Sequence, residues 1–369
     1  MEPNRFGGYL QSLGNKMLSN DKTSPPIADR GYLGPSTGTD PYQKGKVAGI
    51  FNQAARLKPG NLLVTYPPKH ACYQVDPKTG EIGILFSLRQ DNGPFFWRAV
   101  ADRQGAIYCT LSGGRTAANP ISQAIFGIGG FVVRVDHRSG RVDTLIEGKE
   151  NGVVDPCGIA LNGNELIIAD FYLQGGPPGL VYSIDKDTGL RKLLIENLND
   201  PCSAFVDASG TLWIANGLGD SDGDVLAVDP KGQVRAVLPR HGQGTGCVTG
   251  VCPSNDEKEV IVTKVDWPMM VTTQILRLNK KDGTTELIDS ATKSEAKFFT
   301  SNGVVVGDIY WYGESIVYKK IFGYNLKTKK IVKEIDCSGI MGTIKGVQTS
   351  YDMLEAISVV PHDLVSQDA

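Results

Sequence analysis

The sequence has 369 residues, of which 41% are apolar and 21% charged, an ordinary globular composition that excludes wholesale disorder. Lys plus Arg number 38 and Asp plus Glu 40, so a net charge of -2 gives no pull toward nucleic acid or anionic lipid. No apolar run approaches the ~20 residues that span a bilayer, and Met1-Glu2-Pro3-Asn4-Arg5 has no signal-peptide core, so a cytoplasmic protein off the membrane is expected.

Seven cysteines fit that compartment: the number is odd and no C-x-x-C pair occurs, so neither a disulfide framework nor a zinc knuckle is indicated. Forty-four glycines among β-branched and aromatic runs point to many short strands joined by tight turns.

Residues 1–45 are polar and rich in Pro, Gly and Ser, and read as an extended arm or cap. From 46 to 369 a four-strand unit recurs. Its clearest marker is the third-to-fourth turn, first seen as Val75-Asp76-Pro77-Lys78-Thr79-Gly80. The turn returns at Asp136, Asp185, Asp229, Asn279 and Asn325, at intervals of 60, 49, 44, 50 and 46. Asp and Asn bond their own backbone and Gly permits positive φ, which is hairpin chemistry. The second strands align as well, at 62–66, 106–110, 166–170, 212–216, 260–264 and 309–312. They are nearly all apolar, as strands buried on both faces should be.

A period of ~40–50 residues with four strands per unit marks a β-propeller blade. The fold class is therefore all-β, a six-bladed β-propeller of four antiparallel strands per blade. The tail, Leu354-Glu355-Ala356-Ile357-Ser358-Val359-Val360, either closes the ring or begins a seventh blade, and six blades is the reading adopted.

In this topology the second-to-third loops and the starts of the first strands share one face, the mouth of the channel. His137 falls on the opposite face, in a third-to-fourth turn, whereas His70 and His241 fall on the mouth. Two solvated loop histidines are the plain alternative to a titrating pair. The second strands end at Tyr66, Thr110, Asp170, Asn216, Lys264 and Tyr312, with Glu314 just beyond. Proton transfer is assigned to Asp170, Lys264, His241, His70 and Glu314. Turn capping by Asp and Asn, and pairing of Lys264 with Asp266, are the structural alternatives. Substrate contact is assigned to Tyr66, Trp97, Asn216, Trp267, Tyr312 and Phe126. The 110–130 insertion, with Ile121, Ala124, Ile125 and Phe126, has the content of a lid over an apolar pocket.

Cys157, Cys202 and Cys247 recur every 45 residues at first-strand starts. Three converging thiols could hold a soft metal, but small apolar filling of a narrow channel is favoured. Gly219-Asp220-Ser221-Asp222-Gly223-Asp224 lacks the length and terminal Glu of an EF-hand loop and reads as a turn.

The run Pro201-Cys202-Ser203-Ala204-Phe205-Val206-Asp207-Ala208-Ser209-Gly210-Thr211-Leu212-Trp213-Ile214-Ala215 resembles the blade motif of the SMP-30/gluconolactonase family, P-D-G-x-x-x-D-x-x-G-x-L-W-V-A. The likeness is good over 155–240 and loose over 46–360, and NHL-type propellers share it. It implies a lactonase with a divalent cation held by Glu, Asn and Asp at first-strand starts. Here the Asn position falls on Cys157 and the Asp position on Cys202, and no E-G-P motif supplies the Glu. A hard cation does not accept thiols in their place. The chain is thus expected to use no cofactor and to act on a small apolar molecule as a cyclase, isomerase or lyase. It is similar in length and lost ligands to degenerate propellers of fungal natural-product clusters, trichothecene-type clusters among them. A divalent-metal lactone hydrolase and a non-catalytic propeller for a protein partner are the alternatives.

Overall fold

The computed structural model describes residues 50–88, 95–112, 130–147, 152–170, 178–199, 201–217, 223–239, 247–266, 272–290, 299–300, 302–315, 318–341 and 354–365. The 1–45 arm lies outside them. Among the described residues no helix is long and apolar enough to cross a membrane. The strands form six antiparallel sheets, the blades of a six-bladed β-propeller. The chain makes two compact units, one of residues 10–156 with 339–369 and one centred on residues 157–338.

The first unit carries two blades. One contains β1 (Ile50–Phe51), β2 (Leu62–Tyr66), β3 (Ala71–Val75) and β4 (Ile82–Ser87). The next contains β5 (Phe95–Ala101), β6 (Ile107–Ser112), β7 (Phe131–Asp136) and β8 (Arg141–Glu147). All five residues of β2 are buried, so its unbroken apolar run reflects cover on both faces. Leu63, Cys72, Phe86, Phe96, Cys109, Leu111 and Phe131 pack between the two blades in one core. Each large side chain fully buried there contributes ~1.5–3 kcal/mol. Burial pushes the Cys72 and Cys109 thiols well above the ordinary range, so they act as apolar filler.

The second unit carries the other four. Its strands are β9 (Pro156–Asn162), β10 (Glu165–Asp170), β11 (Gly179–Asp185), β12 (Arg191–Leu198), β13 (Pro201–Val206), β14 (Leu212–Asn216), β15 (Asp224–Val228) and β16 (Val234–Leu238). They continue with β17 (Cys247–Pro253), β18 (Glu259–Asp266), β19 (Thr272–Asn279), β20 (Thr285–Ser290), β21 (Val304–Val306), β22 (Ile309–Glu314), β23 (Lys320–Asn325) and β24 (Lys330–Asp336).

The last strand, β25 (Ala356–Val359), belongs to the first blade. It lies antiparallel to β2, with Leu62 opposite Val359 and Thr65 opposite Ala356. The tail therefore supplies the first strand of the first blade, which removes the seven-blade alternative.

The recurring turns owe their shape to one side chain each. The carboxylate of Asp76 accepts the backbone N–H of Lys78 at 2.8 Å and of Thr79 at 3.1 Å. Asp136, Asp185, Asn279 and Asn325 do the same for the residues two and three positions on. Gly80, Gly140, Gly189 and Gly283 then take positive φ. The sixth turn places Lys329 there, at φ 56, so hairpin closure outweighs the preference for glycine.

Among the described residues, first strands of neighbouring blades share no backbone ladder, and side chains tie them instead. Ser358 donates its hydroxyl to Ala99 O at 2.8 Å in the first unit. In the second, Ser203 donates to Val251 O at 3.1 Å, and the Cys157 thiol to Cys202 O at 3.3 Å and Pro201 O at 3.6 Å.

Candidate functional site

Three first strands gain an extra residue where they begin. The register of β5 on β6 slips between Phe96 and Arg98, that of β13 on β14 between Pro201 and Ser203, and that of β17 on β18 between Val248 and Gly250. The bulged residues are thus Trp97, Cys202 and Thr249. A bulge re-aims the side chains beside it and is frequent next to functional sites.

In the first unit the bulge at Trp97 sets an unusual cluster. The Trp97 indole N–H donates to Asp155 Oδ1 at 2.9 Å, and Asp155 is only 2% exposed. Arg98, the next residue, is also 2% exposed and stands opposite Thr110, which is fully buried. Its Nη2 lies 3.6 Å from Oε1 of Glu355, whose side chain is 5% exposed. Glu355 sits immediately before β25. Thr65 joins the strands that carry the pair: its hydroxyl donates to Trp97 O at 2.8 Å and accepts the Ala356 N–H at 3.2 Å. The Glu355 N–H donates to Thr65 O at 3.0 Å. Tyr66 is buried beside it, with Lys69 Nζ 5.7 Å from its ring centre and bonded to Ile340 O at 2.6 Å. Three charged groups are therefore held out of water at the starts of consecutive first strands.

Of the residues expected to move protons, His70 is buried rather than solvated. It caps a short 3-10 turn at φ 49, its N–H donating to Pro67 O. Its burial corrects the solvated-loop alternative for His70. Asp170 and Glu314 are both fully buried. Asp170 accepts the Tyr182 hydroxyl at 3.2 Å, and Glu314 accepts the Tyr318 N–H at 2.5 Å. Lys264 is half-buried on β18, opposite Val248. The side chain of its expected partner Asp266 lies outside the described residues, as do His241, Trp267 and Phe126.

Asn216 is committed to structure: its amide donates to Asp224 Oδ1 at 2.7 Å and its oxygen accepts the Asn199 N–H at 2.8 Å. Tyr312 is buried among Phe299, Tyr310 and Phe322 and donates to Asp289 Oδ2 at 2.5 Å. Burial, reinforced by the Asp289 charge, pushes its hydroxyl far above the ordinary phenol range. Trp97 and Tyr66 fall in the first-unit cluster. Asp170 and Asn216 end β10 and β14 of the other unit, while Tyr312 and Glu314 share β22, and each has its own local partner.

Arg98, Glu355, Asp155 and Thr65 were not assigned a role from sequence. The available signal was a lone Arg inside Phe95-Phe96-Trp97-Arg98-Ala99-Val100-Ala101, a charge in an otherwise apolar strand.

The cation that the lactonase resemblance implies does not fit this chain. Cys157 spends its thiol proton on backbone carbonyls, so it is a donor and not a thiolate ligand. Cys202 is buried at the neighbouring bulge, and nothing is described of the Cys247 side chain at the head of β17. A glutamate does stand at the first blade's first-strand start, namely Glu355, but a guanidinium already accompanies it. Among the described residues no group of three or more His, Cys, Asp or Glu could hold a metal ion.

No protein-family model and no curated protein matches the sequence. Solved structures do match it. A chain of a nidogen/laminin complex is similar at a TM-score of 0.58 and 14% identity, covering 82% of this chain and 98% of that one. TolB from Acinetobacter baumannii is similar at 0.51 and 12%, covering 73% and 62%. The periplasmic gluconolactonase of Pseudomonas aeruginosa is similar at 0.49 and 15%, covering 78% and 85%. At such identities the likeness is one of fold alone, and the fold is the β-propeller.

Proposed function

We propose that the protein is a metal-independent enzyme that moves protons on a small, largely apolar metabolite, as a cyclase, isomerase or lyase. The observation that supports this reading is the buried set of Arg98, Glu355 and Asp155 at adjoining strand starts. Removing a charge from water costs several kcal/mol, and apolar side chains would have served packing at these positions. Strongly desolvated charges in one cluster are a mark of functional sites.

A carboxyl beside a guanidinium can accept or deliver a proton while the guanidinium balances charge that develops on a substrate oxygen. Asp155, oriented by the Trp97 indole, is the second proton carrier. Cyclisation, isomerisation and elimination each need one group to take a proton and another to give one. Two carboxyls supply both without a nucleophile. The substrate class that the resemblance suggests is a sesquiterpenoid of fungal secondary metabolism, in the cytoplasm.

The test incubates the full chain with sesquiterpenoid alcohols and epoxides, and in parallel with aldonolactones, with and without EDTA. Products are followed by liquid chromatography and mass spectrometry. Terpenoid conversion should ignore the chelator and fall by about 100-fold or more in Glu355→Gln protein whose circular dichroism matches wild type. Chelator-sensitive lactone hydrolysis would overturn the reading in favour of a metal-dependent hydrolase. Binding of the terpenoids without conversion would retire the enzyme.

A further inference from the structure

His137 is a buried titratable group for which the proton chemistry at the strand starts has no use. It stands in the third-to-fourth turn of the second blade and is 1% exposed. Against it runs the strap, residues 50–58, by which the chain enters the first blade. The strap is laced to its own blade. β1 pairs with β4, the Asn52 backbone N–H donates to Leu85 O at 2.8 Å, the Asn52 side-chain amide donates to Ile84 O at 3.0 Å, and Arg56 O accepts the Gln74 amide at 3.0 Å. His137 ties the strap to the next blade, with Nε2 3.3 Å from Ala55 O. Gly140 fits closely at the same joint, since a Cβ there would meet Phe51 Cδ2 at 3.3 Å.

A carbonyl oxygen only accepts, so Nε2 carries a proton, and in the neutral ring Nδ1 is a bare lone pair. Nδ1 is buried and has no hydrogen-bond partner among the described residues. A second proton there would make a buried N–H with no acceptor. Charge compounds the cost. Arg56 Nη1 donates to the same Ala55 O at 3.3 Å, so a cationic imidazole would share one carbonyl with a guanidinium. Arg138 brings a second guanidinium from the turn itself. Asp136 pulls the other way, but its oxygens already accept Arg138 N, Ser139 N and Ser139 Oγ. Burial first, and the two arginines after it, hold the His137 ring below its ordinary basicity. We propose that His137 is an acid-released latch: neutral, it fastens the second blade's turn to the strap, and protonated, it lets the strap go. The closed latch is favoured above the ~6.5 of a free imidazole and loses that preference as pH falls below it.

The test is hydrogen exchange of the full chain followed by mass spectrometry, read as protection factors at about pH 7.5 and about pH 5.0. Protection over 52–56, where the Asn52 and Ala55 amides are bonded, should fall about fivefold or more on acidification, while β14 of the other unit keeps its own. His137→Gln offers Ala55 O an amide N–H that does not titrate, and its strap should keep the same protection at both pH values. No fall in wild type, a fall matched by β14, or a fall of wild-type size in His137→Gln would each overturn the latch. If His137→Gln does not fold, Arg56→Gln serves in its place. It relieves the clash at Ala55 O, so the loss of protection should move to lower pH, and an unmoved midpoint would overturn the latch.

Discussion

Asp207 offers the most direct check on how the blade motif works. Its Oδ1 accepts Ser209 N at 2.9 Å, Ser209 Oγ at 2.6 Å and Thr211 N at 3.2 Å. Its Oδ2 accepts the Trp213 indole at 2.9 Å and Lys280 Nζ at 2.7 Å. Lys280 lies on the turn after β19 and places its ammonium 5.3 Å from the centre of the Trp213 ring. One carboxylate thus folds its own turn, fixes an indole and ties two blades.

Asp207→Asn keeps the shape but puts an amide NH2 where Oδ2 accepted two donors. Hydrogen bonds to charged groups are worth ~1.5–3 kcal/mol each, and a deserted buried donor adds its desolvation cost. The Asp207 and Lys280 side chains are 12% and 20% exposed, so water recovers part of the loss. A net cost of about 2–4 kcal/mol is expected from urea unfolding at neutral pH. Lys280→Met alone should cost about 1–2 kcal/mol, and the double variant should show a coupling of at least ~1 kcal/mol.

The pH dependence has a fixed sign. Burial alone would raise the Asp207 carboxyl, but bonds from Lys280, Ser209 and Trp213 overcome it and hold the group well below the ordinary range. A depressed folded value stabilises above the unfolded value of ~3.9 and loses that stabilisation as pH falls toward the folded one. The gap between wild type and Asp207→Asn should be constant from about pH 5 to 8 and narrow below about pH 4. Additive single variants, or a gap that widens on acidification, would refute the reasoning.

Two further substitutions probe the ties between blades. A Cβ on Gly158 would stand 2.7 Å from Cys202 O and 2.8 Å from Ala169 Cβ, so Gly158→Ala should cost about 1–3 kcal/mol in thermal or urea unfolding. An unchanged midpoint would mean that β9 and β13 can part without penalty. Cys157→Ser keeps a donor to Cys202 O and should unfold near the wild-type midpoint, whereas Cys157→Val loses it and should cost about 1 kcal/mol. Equal midpoints for Ser and Val would reduce Cys157 to filler.

Much of the architecture was legible because the repeat writes it several times over. The Asp or Asn that opens each third-to-fourth turn bonds backbone two and three residues on, a short-range interaction that one sequence displays in full. The buried second strands were visible for the same reason, since an unbroken apolar run needs no knowledge of its neighbours. The site was far less legible. Asp170 and Asn216 do end their strands, whereas β22 runs on past Tyr312 to Glu314, and the polar atoms of the three serve Tyr182, Asp224 and Asp289. Which atom a polar side chain answers to depends on a neighbouring strand, and residue type alone does not carry that information.

Glu355 shows why part of the buried charged cluster stayed hidden. A search for the first blade's acid near its second strand, Leu62–Tyr66, looks where a hairpin would place it. The ring instead closes with the last strand, so Ala356 pairs with Thr65 across 291 residues of sequence. Loop-closure cost grows roughly as the logarithm of length, so closing the ring from the far end costs about 3–4 kcal/mol more than a loop of ~5 residues, which the contacts of the closing strand can offset. Each blade's first strand otherwise directly precedes its second, as β9 does β10, and the first blade alone breaks that order. Arg98 was hidden in a related way. Its strand reads as core, and a buried guanidinium is tolerable there because the tail brings a carboxylate to it. Neither half of the pair stands out in the sequence by itself, and closure of the propeller brings the two within 3.6 Å of each other.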